Sequence, residues 1–232
     1  MKKQILFGMK DGIPIALGYL SVSFGFGIFA ASLGISPVES WLISATNLTS
    51  AGQVAGVGII AAAGSYLEMI LTQLVINIRY ALMALSLSQK LDDSFRTPQR
   101  LIASFGITDE IFAMAYSKPG KLTPGYMYGL IITPFVGWTG GTILGAVAGE
   151  GLPGQLTDAL GIMLYAMFLA VIIPAARQEK SILTVIAIAA VISTLFYYVF
   201  TAVSGGFAII FSAVAAAAIG ALLRPIDDET EG

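Results

Sequence analysis

Apolar residues fill long stretches of this chain, with only short polar or glycine-rich pieces between them. Eight stretches can be marked, at roughly 13–33, 41–63, 65–88, 101–117, 124–149, 156–175, 182–203 and 207–223. About 20 apolar residues are enough to cross a bilayer as a helix. The breaks carry turn chemistry: Gly34–Ile35–Ser36–Pro37, Lys118–Pro119–Gly120–Lys121 and Gly205–Gly206. The pattern predicts an all-α, polytopic integral membrane protein with about 6–8 hydrophobic segments.

Two segments depart from the plain pattern. The second has the interior SATNLTSAGQVAG, in which Asn47, Thr49, Ser50 and Gln53 are polar and Gly52 and Gly56 weaken a helix. The fourth is short and carries Asp109 and Glu110 side by side after Thr108. Polar, glycine-containing interruptions are how transporters build sites from unwound backbone. The other reading is an ordinary helix with small and hydroxyl residues at packing positions. For the fourth segment it is a helix start at the membrane surface, with both carboxylates at its positive end.

The third segment is long enough to span, yet holds Gln73, Asn77 and Arg79. A guanidinium stays charged at any ordinary pH, and at a span centre it costs roughly 2.5–3.5 kcal/mol on insertion scales. Either Arg79 snorkels to lipid phosphates, or it has a partner. Glu68 shares its face but sits eleven residues away, about 16 Å along the axis, too far to pair. It needs a partner from elsewhere, or water, and Asp109 and Glu110 in the next polar segment are candidates. Two carboxylates so close also repel, which favours one proton between them and suits a proton-linked step.

Small residues recur at four-residue spacing in three places. They are Ser23, Gly27 and Ala31 in the first segment, the run Gly125, Gly129, Thr133, Gly137, Gly141, Gly145 and Gly149 in the fifth, and Ser204 to Gly220 in the eighth. Such stripes let helices approach backbone to backbone.

Composition narrows the function. The 232 residues are 56% hydrophobic and 11% charged, against about 25% charged in soluble domains. The net charge of −2, with no basic run, gives no reason to expect nucleic acid. No Cys and no His occur, which excludes disulfides, Cys or His nucleophiles and Cys- or His-ligated metal. No GxxxxGK loop is present, so nothing points to ATP. No cofactor, metal or catalytic residue is expected, and enzyme activity is not.

Eight full crossings would put Lys90, Arg96 and Arg100 on the side opposite the N-terminus. If the second and fourth segments instead enter and leave on one side, all eleven Lys and Arg other than Arg79 face the cytoplasm. The positive-inside rule favours that arrangement, six crossings and two re-entrant segments; eight crossings stays open. The organisation expected is one transporter domain over 1–232, with short cytoplasmic ends at 1–11 and 224–232.

The run SATNLTSAGQ, the stretch VINIRYALMALSLS and the phrase ITDEIFAM, in this order, resemble the AzlC family, the large subunits of branched-chain amino acid exporters. The resemblance covers about 10–223. It implies export of leucine, isoleucine, valine and often methionine, driven by the proton gradient, from the bacterial inner membrane with a small AzlD-like membrane partner. Family members often have His where Tyr80 stands, so a proton route here would use carboxylates. The substrate-binding candidates are Asn47, Gln53, Asn77 and Arg79; the proton-coupling candidates are Asp109 and Glu110. The rival readings are a passive channel and a membrane scaffold that does not transport.

Overall fold

The computed structural model describes residues 1–153, 155, 169, 172–174 and 176–223. Every regular element among them is helical. In order they are α1 (Lys2–Ser32), α2 (Pro37–Thr46), α3 (Ser50–Ala61), α4 (Tyr66–Ser88), α5 (Thr97–Phe105), α6 (Asp109–Ser117), α7 (Pro124–Gly151), α8 (Lys180–Tyr198) and α9 (Gly205–Leu223). Five of these, α1, α4, α7, α8 and α9, are long and apolar enough to cross a membrane. The all-α polytopic class is therefore observed. Most of the sixth sequence segment and the 224–232 end lie outside the described residues.

Some boundaries differ from the sequence reading. The first helix begins at Lys2 rather than near residue 13, because Gly8 and Gly12 extend its packing against α7 toward the N-terminus. The second segment begins at Pro37, where Ser36 and Glu39 form a reciprocal capping box. Donation by the Ser36 side chain and backbone holds the Glu39 carboxyl below its ordinary range.

Both polar segments are broken. The first break is Asn47–Leu48–Thr49, between α2 and α3; the second is Gly106–Ile107–Thr108, between α5 and α6. Each has a local cause. Thr49 Oγ1 accepts from the Gly52 N–H at 3.0 Å, and Asn47 Oδ1 accepts from the Thr49 N–H at 3.1 Å. Thr108 caps α6 by accepting from the Ile111 N–H at 3.4 Å. These side chains offer the backbone a turn in place of a continuing helix.

The chain divides into two compact units, Met1–Val57 with Ile76–Leu164 and Gly58–Val75 with Tyr165–Gly232. In the first, α1 and α7 lie backbone to backbone. A Cβ added at Gly129, Gly137, Gly141 or Gly145 would strike the carbonyl oxygen of Ile5, Ala16, Leu20 or Phe24 respectively. Gly8 and Gly27 on α1 meet the α7 backbone at Tyr126 and Thr142 in return. The contacts advance together along both helices, so α1 and α7 run parallel.

The two breaks are turning points of hairpins. The Lys90 ammonium donates to the carbonyls of Tyr116 and Lys118. The Leu122 N–H donates to Lys90 O at 2.8 Å, and the Asp92 N–H to Leu122 O at 2.9 Å. The end of α4, the end of α6 and the start of α7 therefore sit at one level, and α5–α6 enters and leaves from the same side. Its tip is not at that level: a Cβ at Gly106 would meet the Ile131 side chain, seven residues into α7 and about 10 Å along it. In the other pair, Gln53 Nε2 donates to Ser44 Oγ at 2.7 Å. Nine residues of continuous helix would separate those positions by about 13 Å, so α3 turns back on α2. Topology agrees. With α1 and α7 parallel, an odd number of crossings lies between them; α4 provides one, and the two hairpins provide none.

In the second unit, the Glu68 carboxylate is 4% exposed and sits at the N-terminus of α9. It accepts from the Ser204 hydroxyl at 2.5 Å and the Gly206 N–H at 2.8 Å. A carboxylate there satisfies free N–H groups and complements the helix dipole. Phe196 of α8 stacks on Phe211 of α9, with ring centroids 5.9 Å apart. Beyond α3, Ala63 takes a left-handed φ of 51°. Its N–H bonds Ile60 O and that of Gly64 bonds Ile59 O, the two closing bonds of a Schellman turn.

Candidate functional site

Arg79 lies on α4, nine residues before its end, about 13 Å from the level where the α5–α6 hairpin begins. That is the depth of the hairpin tip, and there the guanidinium meets Asp109. Nη1 is 2.8 Å from each carboxylate oxygen. Its other amino group donates to the Tyr80 hydroxyl at 2.9 Å, and the Tyr80 ring centroid is 4.7 Å from Cζ. Both side chains of the ion pair keep 45% exposure. The guanidinium thus has a protein carboxylate as partner, the arrangement that stands opposite snorkelling to lipid phosphates.

Glu110 takes a different partner. The Tyr19 hydroxyl of α1 lies 2.5 Å from Glu110 Oε2 and 2.5 Å from Thr108 Oγ1. A phenol has one proton to give. It goes to the carboxylate, and the Thr108 hydroxyl donates to the phenol oxygen. The adjacent carboxylates are thus separated in role: one faces a fixed cation, the other a neutral, hydrogen-bonded phenol. Helix α6 starts with both in its first turn, as its N-terminal dipole favours.

Tyr19 also reaches the other hairpin. Its ring stands edge-on to Trp138 of α7, centroids 5.1 Å apart, and both pack on Leu48 at the α2–α3 break. At that break, Asn47 is the extended C-cap of α2. Gln53 is in the first turn of α3 and 1% exposed. From Gln53 a buried chain of hydrogen bonds runs through Ser44 to Thr142, at 2.6 Å, and on to the Trp138 carbonyl at 3.0 Å. Asn77 lies half-buried on α4, two residues before Arg79.

The predicted residues therefore form two groups. Arg79, Asp109 and Glu110 share the α5–α6 tip; Asn47 and Gln53 share the α2–α3 tip. Tyr19 and Trp138 join them and were not singled out from the sequence. A tyrosine in a glycine-rich span, with no polar neighbour in sequence, gives no sign of the hydroxyl's destination. Ser44 and Thr142 were missed because a buried hydroxyl in an apolar helix reads as packing.

The family model described as AzlC protein matches residues 14–152, which includes both hairpins. The inner membrane protein YgaZ of Escherichia coli is 31% identical over 183 residues, 75% of this chain and 74% of that protein. An uncharacterized membrane protein of Archaeoglobus fulgidus is 32% identical over 178 residues, 75% of this chain and 78% of its own length. The branched-chain amino acid transport protein AzlC of Bacillus subtilis is 23% identical over 171 residues, 72% of this chain and 66% of that protein. No solved structure matches the chain. With a family match across both hairpins and relatives above 30% identity over three quarters of its length, the chain belongs to the AzlC family of membrane proteins.

Proposed function

We propose that this chain exports leucine, isoleucine, valine and methionine across the bacterial inner membrane in exchange for protons, with a small AzlD-like membrane subunit as partner. The Bacillus subtilis relative, a branched-chain amino acid transport protein, supports the substrate class, and the family is one of transporters rather than enzymes. The observation that carries the reading is the half-exposed Arg79–Asp109 ion pair at the tip of a re-entrant hairpin. An amino acid presents the same two charges. Its carboxylate competes with Asp109 for Arg79, and Asn77 lies beside that position. Its ammonium competes with a proton for Glu110. A carboxylate that holds either an ammonium or a proton, never both, ties outward substrate movement to inward proton movement. Apolar side chains lining the remainder suit branched substrates.

The N-terminus faces the cytoplasm in this reading. What supports that is the gathering of Lys2, Lys3, Lys10, Lys90, Arg96, Arg100, Lys118 and Lys121 at one end of the first unit, while its turn at 33–36 carries no Lys or Arg. The test is reconstitution in liposomes, with and without the small subunit. Labelled leucine should accumulate against its gradient when a pH difference is imposed and stop when an uncoupler is added. Flux indifferent to the pH difference would mean a passive channel; no flux in either preparation would mean a scaffold.

A further inference from the structure

We infer that the α2–α3 break is a second seat for the head group of the carried amino acid, with the carboxylate on the backbone amides of Ser50 and Ala51 and the ammonium on the Gln53 side-chain amide. The inference rests on the transport reading and adds a receiver that does not depend on Arg79, which Asp109 occupies in this structure.

Two independent observations carry it. The first is backbone. Helix α3 runs twelve residues from Ser50 and has no acidic residue in its first turn. Thr49 satisfies the N–H groups of Gly52, through Oγ1, and Gln53, through its carbonyl. Among the described residues, no hydrogen-bond partner is seen for the N–H groups of Ser50 and Ala51, and both residues are half-buried. Two free amides at a half-helix start deep in a membrane protein form a receptor for an anion. The second is a side chain. Gln53 is 1% exposed and its Oε1 has no partner among the described residues, where Ser44 engages Nε2. Turning the amide over would only exchange which end is left. Side chains on a helix lean toward its N-terminus, and the Gln53 amide follows that lean, reaching back to Ser44 on α2. A buried amide with one end unsatisfied is costly without a ligand. An α-amino acid brings a carboxylate and an ammonium on neighbouring atoms, matching two donors and one acceptor on a single helical turn. The α6 start differs in carrying acidic residues of its own, Asp109 and Glu110, in its first turn.

Two variants test it. Ser50→Pro removes one donor at the first helical position, where proline is tolerated and follows an extended residue well. Thr49→Asp keeps the cap and places a built-in carboxylate on the free amides. Binding of labelled leucine and of 3-methylbutylamine, which is leucine without its carboxylate, is measured on the full chain in nanodiscs, with the melting temperature as the folding check. Leucine binding should weaken at least tenfold in both variants, while amine binding changes less than twofold in Ser50→Pro and is kept or strengthened in Thr49→Asp, whose carboxylate attracts the ammonium. Wild-type leucine affinity in a folded Thr49→Asp protein overturns the inference and leaves the transport reading intact. If the wild type binds no branched-chain amino acid but binds another zwitterionic amino acid in a Thr49-dependent way, the seat stands and the substrate assignment falls. Binding of no amino acid at all overturns both.

Discussion

The Tyr19 hydroxyl donates to Glu110 at 2.5 Å while its ring, edge-on to Trp138, packs on Leu48 at the α2–α3 break, so one side chain of α1 touches both hairpins of the first unit. Tyr19→Phe keeps the ring contact and deletes the hydroxyl. A hydrogen bond to a charged group contributes about 1.5–3 kcal/mol, and Glu110 loses one. The melting temperature should fall by a few degrees. Proton-driven leucine export should fall further than leucine binding, because Glu110 and not the substrate loses its partner. Equal losses in export and binding would show Tyr19 to be a packing residue only.

The glycine pair Gly140 and Gly141 on α7 gives an internal control. A Cβ at Gly141 would strike Leu20 O and Ser23 Oγ on α1, whereas one at Gly140 meets nothing within 4 Å. Gly141→Ala forces the parallel helices apart and should cost about 1–3 kcal/mol. Gly140→Ala gains helix propensity, about 0.5–1 kcal/mol. Detergent melting curves should move in opposite directions for these neighbours.

How much of this was legible in the sequence differs by feature. The spans, the small-residue stripes and the two broken segments were readable, because hydropathy, four-residue spacing and local turn chemistry are written in consecutive residues. Arg79 announced that it lacked a partner, and the arithmetic of helix rise excluded Glu68. What could not be read was the choice between Asp109 and Glu110, since both stand in one turn and only the tertiary approach of α1 gives Glu110 to Tyr19. The capping of α9 by Glu68 was equally hidden: its partners lie more than 130 positions away, at Ser204 and Gly206. The parallel pairing of α1 and α7 was also invisible, for a stripe says that a helix packs closely but not on which partner or in which direction.

Ala63 is in the left-handed region, φ 51°, where a Cβ costs roughly 1–2 kcal/mol. The Schellman turn after α3 needs that conformation. Ala63→Gly should therefore raise stability by about 0.5–1 kcal/mol net of the added freedom of the unfolded chain. A raised melting temperature with unchanged export is the expected result.

The central claim is that Arg79 serves the substrate and is not merely half of a structural ion pair. The direct measurement is proton-driven export of labelled leucine from liposomes by Arg79→Gln beside the wild type, at matched amounts of inserted protein. Loss of one charge-assisted contact in the transport cycle corresponds to about 1.5–3 kcal/mol, a rate loss of roughly 10- to 150-fold. The account predicts at least the lower figure, with insertion intact and the melting temperature within a few degrees of the wild type. Export at the wild-type rate by Arg79→Gln would contradict it.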